Sequence, residues 1–224
     1  MPGAVAQAMH GASYAPRYYV PQPLVVRAIP QLQAAASVTM AKAARSSDPL
    51  EGLALAATVA FGETLTLPRE HRRAFFLFAK RVLAAGHRSS ALRLAAALHL
   101  ASTYSRCQST SLTVPLPQTD GFAFRVLAVA MLVATKILED VSLVRTREWA
   151  TVCGAVHITP AQLARMEIEF LASIDYNANF SVTDLKVSVK SLKAALFSQQ
   201  EVLSQESIHA CMQVFSQVLA DMET

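Results

Sequence analysis

The amino-acid sequence predicts an all-α protein. From Leu50 onward, apolar residues recur at the three- and four-residue spacing of helices and not at the alternating spacing of strands. Alanine and leucine dominate the centre of the chain, whereas only seven glycines occur in 224 residues. With 53% hydrophobic and 16% charged residues, a chain of this length can bury one substantial core. We therefore expect one compact helical domain with additional tails.

Residues 1–46 are predicted to form a flexible arm, because prolines are frequent there. Those before residue 31 are Pro2, Pro16, Pro21, Pro23 and Pro30. A short alanine-rich helix can follow Pro30. No basic residue precedes Arg17, unlike in a secretory signal, and no charge-free apolar stretch approaches the roughly 20 residues of a membrane span. We expect an intracellular protein, located in the nucleus or the cytoplasm.

Local start signals predict where the helices begin. Asp48 fits an N-cap, Pro49 fits the first helical position, and Glu51 fits the position that closes a capping box, for a helix that runs to about Glu63. Pro160 likewise opens a helix. The remaining helices are predicted over residues 70–85, 89–105, 121–140, 146–153, 161–174, 181–196 and 205–222. Residues 181–224 are therefore predicted to be a C-terminal helical extension.

A glutamate interrupts the apolar face of the helix predicted over residues 161–174. At about 100° per residue, the apolar side chains of this helix gather on one side. They are Leu163, Met166, Phe170, Leu171 and Ile174. Glu167 falls in the middle of this face, where an unpaired carboxylate would be costly to bury. Glu167 therefore requires a cation, hydrogen-bond donors or the surface of a partner protein.

Lys136 is the cation that best meets this requirement. It lies near the end of the helix predicted over residues 121–140, in which residues 126–135 carry no charge. Such a helix is expected in the middle of a helical domain, with one narrow stripe that reaches solvent or a partner. This stripe comprises Arg125, Leu132, Lys136 and Glu139. Two interpretations remain open. Lys136 and Glu167 either never meet, or both line a recognition surface with an apolar rim.

The sequence shows no pattern of enzyme chemistry. The glycines are scattered, so no phosphate-binding loop, dinucleotide fingerprint or G-x-S-x-G motif can be assembled. The histidines lack the spacing of metal ligands, and His99 is interpreted as a helix-face residue. Cys153 and His157 could form a catalytic pair, but the sequence shows no third catalytic partner for them. Together with Cys107 and Cys211, Cys153 forms no C-x-x-C pair, which fits reduced thiols. We predict neither an enzyme nor a metal or cofactor site.

Residues 69–93 carry a local excess of positive charge, with seven basic residues against one acid, within a chain of net charge +4. The basic residues are Arg69, Arg72, Arg73, Lys80, Arg81, Arg88 and Arg93. A solvated helix face is one interpretation, because these residues interleave with apolar ones that must be buried. The other is a docking face for acidic or phosphorylated segments, or for weak nucleic-acid contact.

Two parts of the chain resemble the cyclin box, and in particular the P/U-type cyclins, which include the phosphate-response cyclins of fungi. Residues 130–140 (AMLVATKILED) are similar to the end of the third cyclin-box helix. The second half of the box is similar to residues 148–154 (EWATVCG), 163–171 (LARMEIEFL) and 174–176 (IDY). The resemblance is strong over residues 122–181, weaker over 50–106 and absent from the arm.

The resemblance implies a single five-helix cyclin box, with a preceding helix, over residues 47–180, because too few residues follow for a second box of roughly 100 residues. In the family, a lysine of the third helix and the first glutamate of the fifth contact a cyclin-dependent protein kinase. They match Lys136 and Glu167. Ile137, Leu171 and Tyr176 match apolar positions of the same kinase interface. The implied function is a regulatory subunit that binds and activates the kinase without a cofactor.

The sequence departs from the cyclin pattern at two places. The Asp-Arg pair at the end of the second helix is replaced by residues 100–104 (LASTY), and the Gly-Gly step before the fifth helix by Cys153-Gly154. Two other functions stay open, namely a cyclin-fold nucleic-acid or transcription-factor module and a helical adaptor without kinase activation. Nutrient signalling and cell-cycle control are both compatible with the resemblance.

Overall fold

The described residues form eight α-helices and one 3₁₀ turn and contain no strand. The structure is a computed structural model, and it describes residues 48–85, 90–110, 121–138, 146–153, 158–199, 201 and 203–223. The helices are α1 (Pro49–Thr64), α2 (Arg72–Ala85), α3 (Ser90–Thr110), α4 (Phe122–Leu138), α5 (Thr146–Val152), α6 (Pro160–Ser173), α7 (Val182–Phe197) and α8 (Gln205–Asp221). The 3₁₀ turn Arg69–His71 precedes α2. The all-α prediction is confirmed.

Most predicted helix boundaries agree with the structure to within a few residues. The largest difference is at α3, which continues to Thr110 instead of ending near residue 105. In this serine-containing end, Ser109 Oγ donates to Ser105 O at 2.9 Å, a side-chain bond that a helix can accommodate. Gly121, just before α4, has a φ of 96°, a conformation that glycine adopts without strain. The helix expected after Pro30 lies outside the described residues.

Other helices enclose α4 on most sides, since it contacts α1, α2, α3 and α6. Its buried residues include every position from Val126 to Thr135. The prediction that Leu132 lies on an exposed stripe is wrong, because neighbouring helices also cover that side and Leu132 is fully buried. Glu139 of the same stripe lies outside the described residues. Trp149 Nε1 donates to Ala128 O at 3.0 Å, which attaches α5 to α4.

Asp48 begins α1 as predicted, but Glu51 does not close a capping box. Asp48 Oδ1 accepts from Leu50 N at 2.9 Å. The carboxylate of Glu51 instead accepts from Lys80 Nζ of α2 at 2.5 Å, and Asp48 lies 3.8 Å from the same ammonium. A hydrogen bond to a charged donor is stronger than one to a backbone amide, which accounts for this choice. The Lys80–Glu51 pair thus joins α1 to α2.

The two C-terminal helices pack on the same core as the helices before them. α7 contacts α1 and α3, and α8 contacts α1 and α7. Leu192 and Phe215 are fully buried. α8 approaches α1 closely at Gly52, where an added Cβ would lie 2.6 Å from Cys211 Cβ. The helices expected in the C-terminal extension are present, whereas the division of the chain at residue 181 stays a prediction.

An aromatic stack joins α3 to α6 in the region where the cyclin pattern has its Asp-Arg pair. The rings of Tyr104 and Phe170 lie 5.1 Å apart with 9° between their planes. Phe122 lies 6.2 Å from the Tyr104 ring. Stacked aromatic pairs contribute about 1 kcal/mol beyond their buried area. The stack therefore provides a connection between these helices that does not depend on the missing ion pair.

Candidate functional site

The helix that carries Glu167 has a well-defined start. Thr159 Oγ1 accepts from Gln162 N at 3.2 Å, and Gln162 Oε1 accepts from Thr159 N at 2.9 Å, so the two residues form a capping box with Pro160 in the first turn. This start sets which side of α6 faces the core. Leu163 and Phe170 are buried, and Glu167 lies at the margin of the buried face.

Lys136 and Glu167 form an ion pair between α4 and α6. Lys136 Nζ donates to both carboxylate oxygens, at 2.5 Å to Oε1 and 2.7 Å to Oε2, and lies 3.5 Å from Thr146 Oγ1 of α5. The side chains of Lys136 and Glu167 are 25% and 15% accessible. The interpretation in which they never meet is therefore wrong. Three helices converge at a charged group that solvent still reaches.

Apolar side chains lie next to this ion pair and remain open to solvent. Ile137 directly follows Lys136 and is 45% exposed. Leu171, one helical turn after Glu167, is half-buried, and Tyr176 is 66% exposed. We call these residues, with Ile168, the ion-pair face: Lys136, Ile137, Glu167, Ile168, Leu171 and Tyr176. Exposed large apolar residues beside a shielded charge are typical of a protein-interaction surface.

Ile168 is the member of this face that the sequence did not identify. It follows Glu167 directly and is 62% exposed. Helical periodicity indicates only that Ile168 points away from the apolar side of α6. An isolated apolar residue on the solvent side is common in proteins, so its sequence position alone did not indicate a function. The signal lies in its large exposed fraction directly after Glu167, which only the folded structure shows.

A strained turn holds Tyr176 at the edge of the ion-pair face. Asp175 and Tyr176 have φ values of 51° and 55°, in the left-handed region that usually requires glycine. Asp175 N donates to Ala172 O at 3.1 Å, and Tyr176 N donates to Leu171 O at 2.7 Å. These two bonds form a Schellman motif at the end of α6. The turn fixes the backbone of Tyr176 while its side chain remains in solvent.

The comparisons with known proteins identify the family. A family model described as Cyclin matches residues 28–178. The chain belongs to the cyclin family. Cyclins are regulatory, non-catalytic proteins. No curated protein and no solved structure matches this cyclin significantly. The match contains all five residues that the sequence assigned to the kinase interface, whereas α7 and α8 lie beyond it.

The basic stretch of this cyclin does not form one surface. Lys80 is engaged by Glu51 and Asp48, and Arg93 is only 5% exposed. Arg72 and Arg81 are exposed, but nine residues separate them on α2, which places them half a revolution apart. Arg88 lies outside the described residues. The structure therefore gives no support to a continuous docking face over residues 69–93.

The reactive groups considered as catalytic candidates are poorly placed for chemistry. Cys153 is fully buried, and burial raises the pKa of its thiol to about 12, although Arg81 acts in the opposite direction. The thiolate needed for nucleophilic attack is thus scarce at neutral pH. His99 lies half-buried against Phe180, with 6.4 Å between the ring centroids. Within the described residues, no three His, Cys, Asp or Glu side chains are grouped to hold a metal ion.

The described helices can also be compared with the length and hydrophobicity of a membrane span. Among the described helices, none is both long and apolar enough to cross a bilayer.

Proposed function

We propose that this cyclin is a regulatory subunit that binds and activates a cyclin-dependent protein kinase through the ion-pair face. The observation that supports this most is the Lys136–Glu167 pair, which is formed in the free chain and still partly open. The family uses a lysine and a glutamate at the matching positions to contact its kinase. Periodicity had separately singled out the same two residues as unusual for a helical core.

The ion-pair face has the physical properties of a binding hot spot. Its charged centre is shielded from most of the solvent, so hydrogen bonds to a partner would be stronger there than on an open surface. Glu167 keeps lone pairs that Lys136 does not use, since each carboxylate oxygen can accept more than one hydrogen bond. Ile137, Ile168 and Tyr176 supply an apolar rim that a partner can cover.

Activation by this face would be allosteric. A protein kinase needs its regulatory helix turned inward, so that the glutamate of that helix pairs with the lysine that holds ATP phosphates. A rigid surface that binds the inward position better than the outward one shifts the kinase towards its active state. The ion-pair face is built on two core helices and a capped turn, which gives it this rigidity. The phosphoryl transfer itself is then performed by the kinase.

We further propose that the chain is a single-box cyclin of the P/U type. The similarity of residues 130–140 and 163–176 to that group supports this assignment. A kinase regulator of this kind would act inside the cell, in the nucleus or the cytoplasm, in nutrient signalling or in cell-cycle control. The nucleic-acid alternative has less support, because the basic residues of 69–93 are divided among separate sites.

A pull-down from native extract tests this proposal. Tagged wild-type protein is compared with the double variant Lys136→Ala/Glu167→Ala, and a bound kinase is identified and assayed for phosphoryl transfer. Glu169→Ala is the matched control, because Glu169 lies on the same helix and pairs with Arg165 at 2.8 Å in solvent. We expect wild type and control to recover an active kinase and the double variant to lose it. Recovery of the kinase by all three proteins would refute the site. If none recovers a kinase, the adaptor alternative is favoured.

A further inference from the structure

A second group of exposed apolar residues lies on α7. The exposed large hydrophobic residues of the described chain fall into two sets. Ile137, Ile168 and Tyr176 belong to the ion-pair face, whereas Val182, Val187 and Phe197 all belong to α7. Because α7 begins after residue 178, it lies outside the segment that matches the cyclin family. Membership of the family therefore assigns no role to this second set.

Lysines accompany these apolar residues along the same side of the helix. Lys186, Lys190 and Lys193 are followed by Phe197 at successive spacings of four, three and four residues, which align on one stripe of an α-helix. The side of α7 that carries Leu192 and Ala195 is buried in the core. We define the α7 lysine face as Lys186, Val187, Lys190, Lys193 and Phe197.

The positive charge of this face is mostly uncompensated. Lys186 pairs with Glu223 at 3.2 Å, and the Glu223 side chain is 71% accessible. Within the described part of the chain, Lys190 and Lys193 have no ion-pair partner. Asp184, the one acid on α7, is held by Ser181 in the capping box at the start of the helix. Lys190, which is exposed, and Lys193, which is half-buried, thus have no ion-pair partner among the described residues.

We infer that the α7 lysine face docks an acidic segment of a partner protein, in which Asp or Glu residues alternate with apolar ones. The complementarity is both electrostatic and apolar, since carboxylates would pair with the lysines and separate apolar side chains would cover Val187 and Phe197. The Lys186–Glu223 contact is an internal example of the pairing that such a segment would make.

Other occupants fit this face less well. The N-terminal arm contains four basic residues and no acid before Asp48, so its charge repels the lysines. A second copy of the chain that used the same face in a two-fold dimer would place lysines opposite lysines. An anionic membrane is a separate source of negative charge, and the experiment distinguishes it.

Fluorescence anisotropy provides the test. The probe is a fluorescein-labelled peptide in which pairs of Glu alternate with single Leu residues, and its control replaces every Glu with Gln. Lys190→Glu/Lys193→Glu is compared with wild type and with Arg72→Glu/Arg81→Glu, a matched charge reversal on exposed residues of α2. We expect the α7 variant to bind the acidic peptide about tenfold more weakly at low salt, and the α2 variant to bind like wild type. Lys190→Glu alone, at an exposed position, should give part of this loss.

Several results would overturn the inference. These are equal affinity for the Gln peptide, equal losses in the α2 and α7 variants, or no loss in a folded α7 variant. Salt-sensitive binding to phosphatidylserine vesicles but not to the peptide would indicate a membrane surface instead. A dimer in light scattering that the α7 variant dissociates would indicate a second copy. The test does not depend on the proposed kinase, because it uses no kinase and leaves Lys136 and Glu167 unchanged.

Discussion

Two lysine–glutamate pairs with similar geometry should contribute very differently to stability. Lys80–Glu51 and Lys136–Glu167 each have a closest N–O distance of 2.5 Å. The Glu51 side chain is 5% accessible, however, and its Oε2 is buried without a hydrogen-bond partner in the described structure. Glu167 is 15% accessible, beside a lysine that is 25% accessible. We therefore expect the first pair to support the fold and the second to be available for binding.

The perturbation is removal of each lysine charge, as Lys80→Met and Lys136→Met. Loss of the partner of a buried carboxylate costs about 3–5 kcal/mol, because the remaining charge stays desolvated. We expect about 3 kcal/mol for Lys80→Met, the lower end of that range, since the Lys80 and Asp48 side chains are 29% and 34% accessible and water can reach the site. For Lys136→Met we expect about 1 kcal/mol, because water can solvate Glu167.

Urea denaturation followed by circular dichroism measures both changes in the free energy of unfolding. The comparison requires that the dependence of this free energy on urea concentration stays the same among the variants. The variant Glu51→Gln/Lys80→Met should recover part of the loss, because it leaves no buried charge. If Lys136→Met destabilised the protein as much as Lys80→Met, the distinction between a structural and a functional pair would be refuted.

Three further predictions concern packing, thiols and pH. Gly52→Ala should lower the free energy of unfolding by about 1–3 kcal/mol, because the new Cβ would meet Cys211 Cβ at 2.6 Å, and denaturation of this variant should show the loss. A thiol reagent at neutral pH should modify the half-buried Cys107 before Cys153 and Cys211, because burial raises the pKa of the Cys153 and Cys211 thiols to about 12. Mass spectrometry of the native protein measures the order of modification. Modification of Cys153 or Cys211 before Cys107 would contradict the prediction. Burial lowers the pKa of His99 below its usual 6.5, so the unfolded chain takes up the proton first and stability declines as the pH falls below about 6.5. His99→Gln should reduce this decline in the unfolding free energy, and an unchanged decline would show that other groups cause it.

The helix starts and the unusual position of Glu167 could be predicted because they depend on neighbouring residues. Asp48 and Pro160 mark helix starts through local hydrogen bonds and a fixed φ. Periodicity placed Glu167 in the middle of an apolar face, since side-chain direction in a helix repeats every few residues, whereas the structure places it at the margin of the buried face. The cyclin resemblance then agreed with the family model, although that model begins at residue 28, within the arm where the sequence showed no resemblance.

The features that were predicted wrongly or not at all depend on distant parts of the chain. Leu132 is buried because helices surround α4, and the pattern within α4 cannot show how many neighbours it has. Glu51 pairs with Lys80, which lies 29 residues away, and so its local capping signal was misleading. The exposure of Ile168 depends on which other helices cover α6, and so the sequence of α6 alone cannot show it. Contacts between residues that are far apart in the sequence can be identified only in the folded structure.

A calorimetric titration of the kinase recovered by the wild-type protein tests the central claim most directly. Its partners are wild-type chain, Glu167→Ala and the control Glu169→Ala, each first shown to be folded. We predict that Glu167→Ala weakens binding by about 2–4 kcal/mol, because it removes a shielded charged contact, whereas Glu169→Ala binds within about 0.5 kcal/mol of wild type. Equal affinities of Glu167→Ala and wild type would contradict the claim that the ion-pair face binds the kinase.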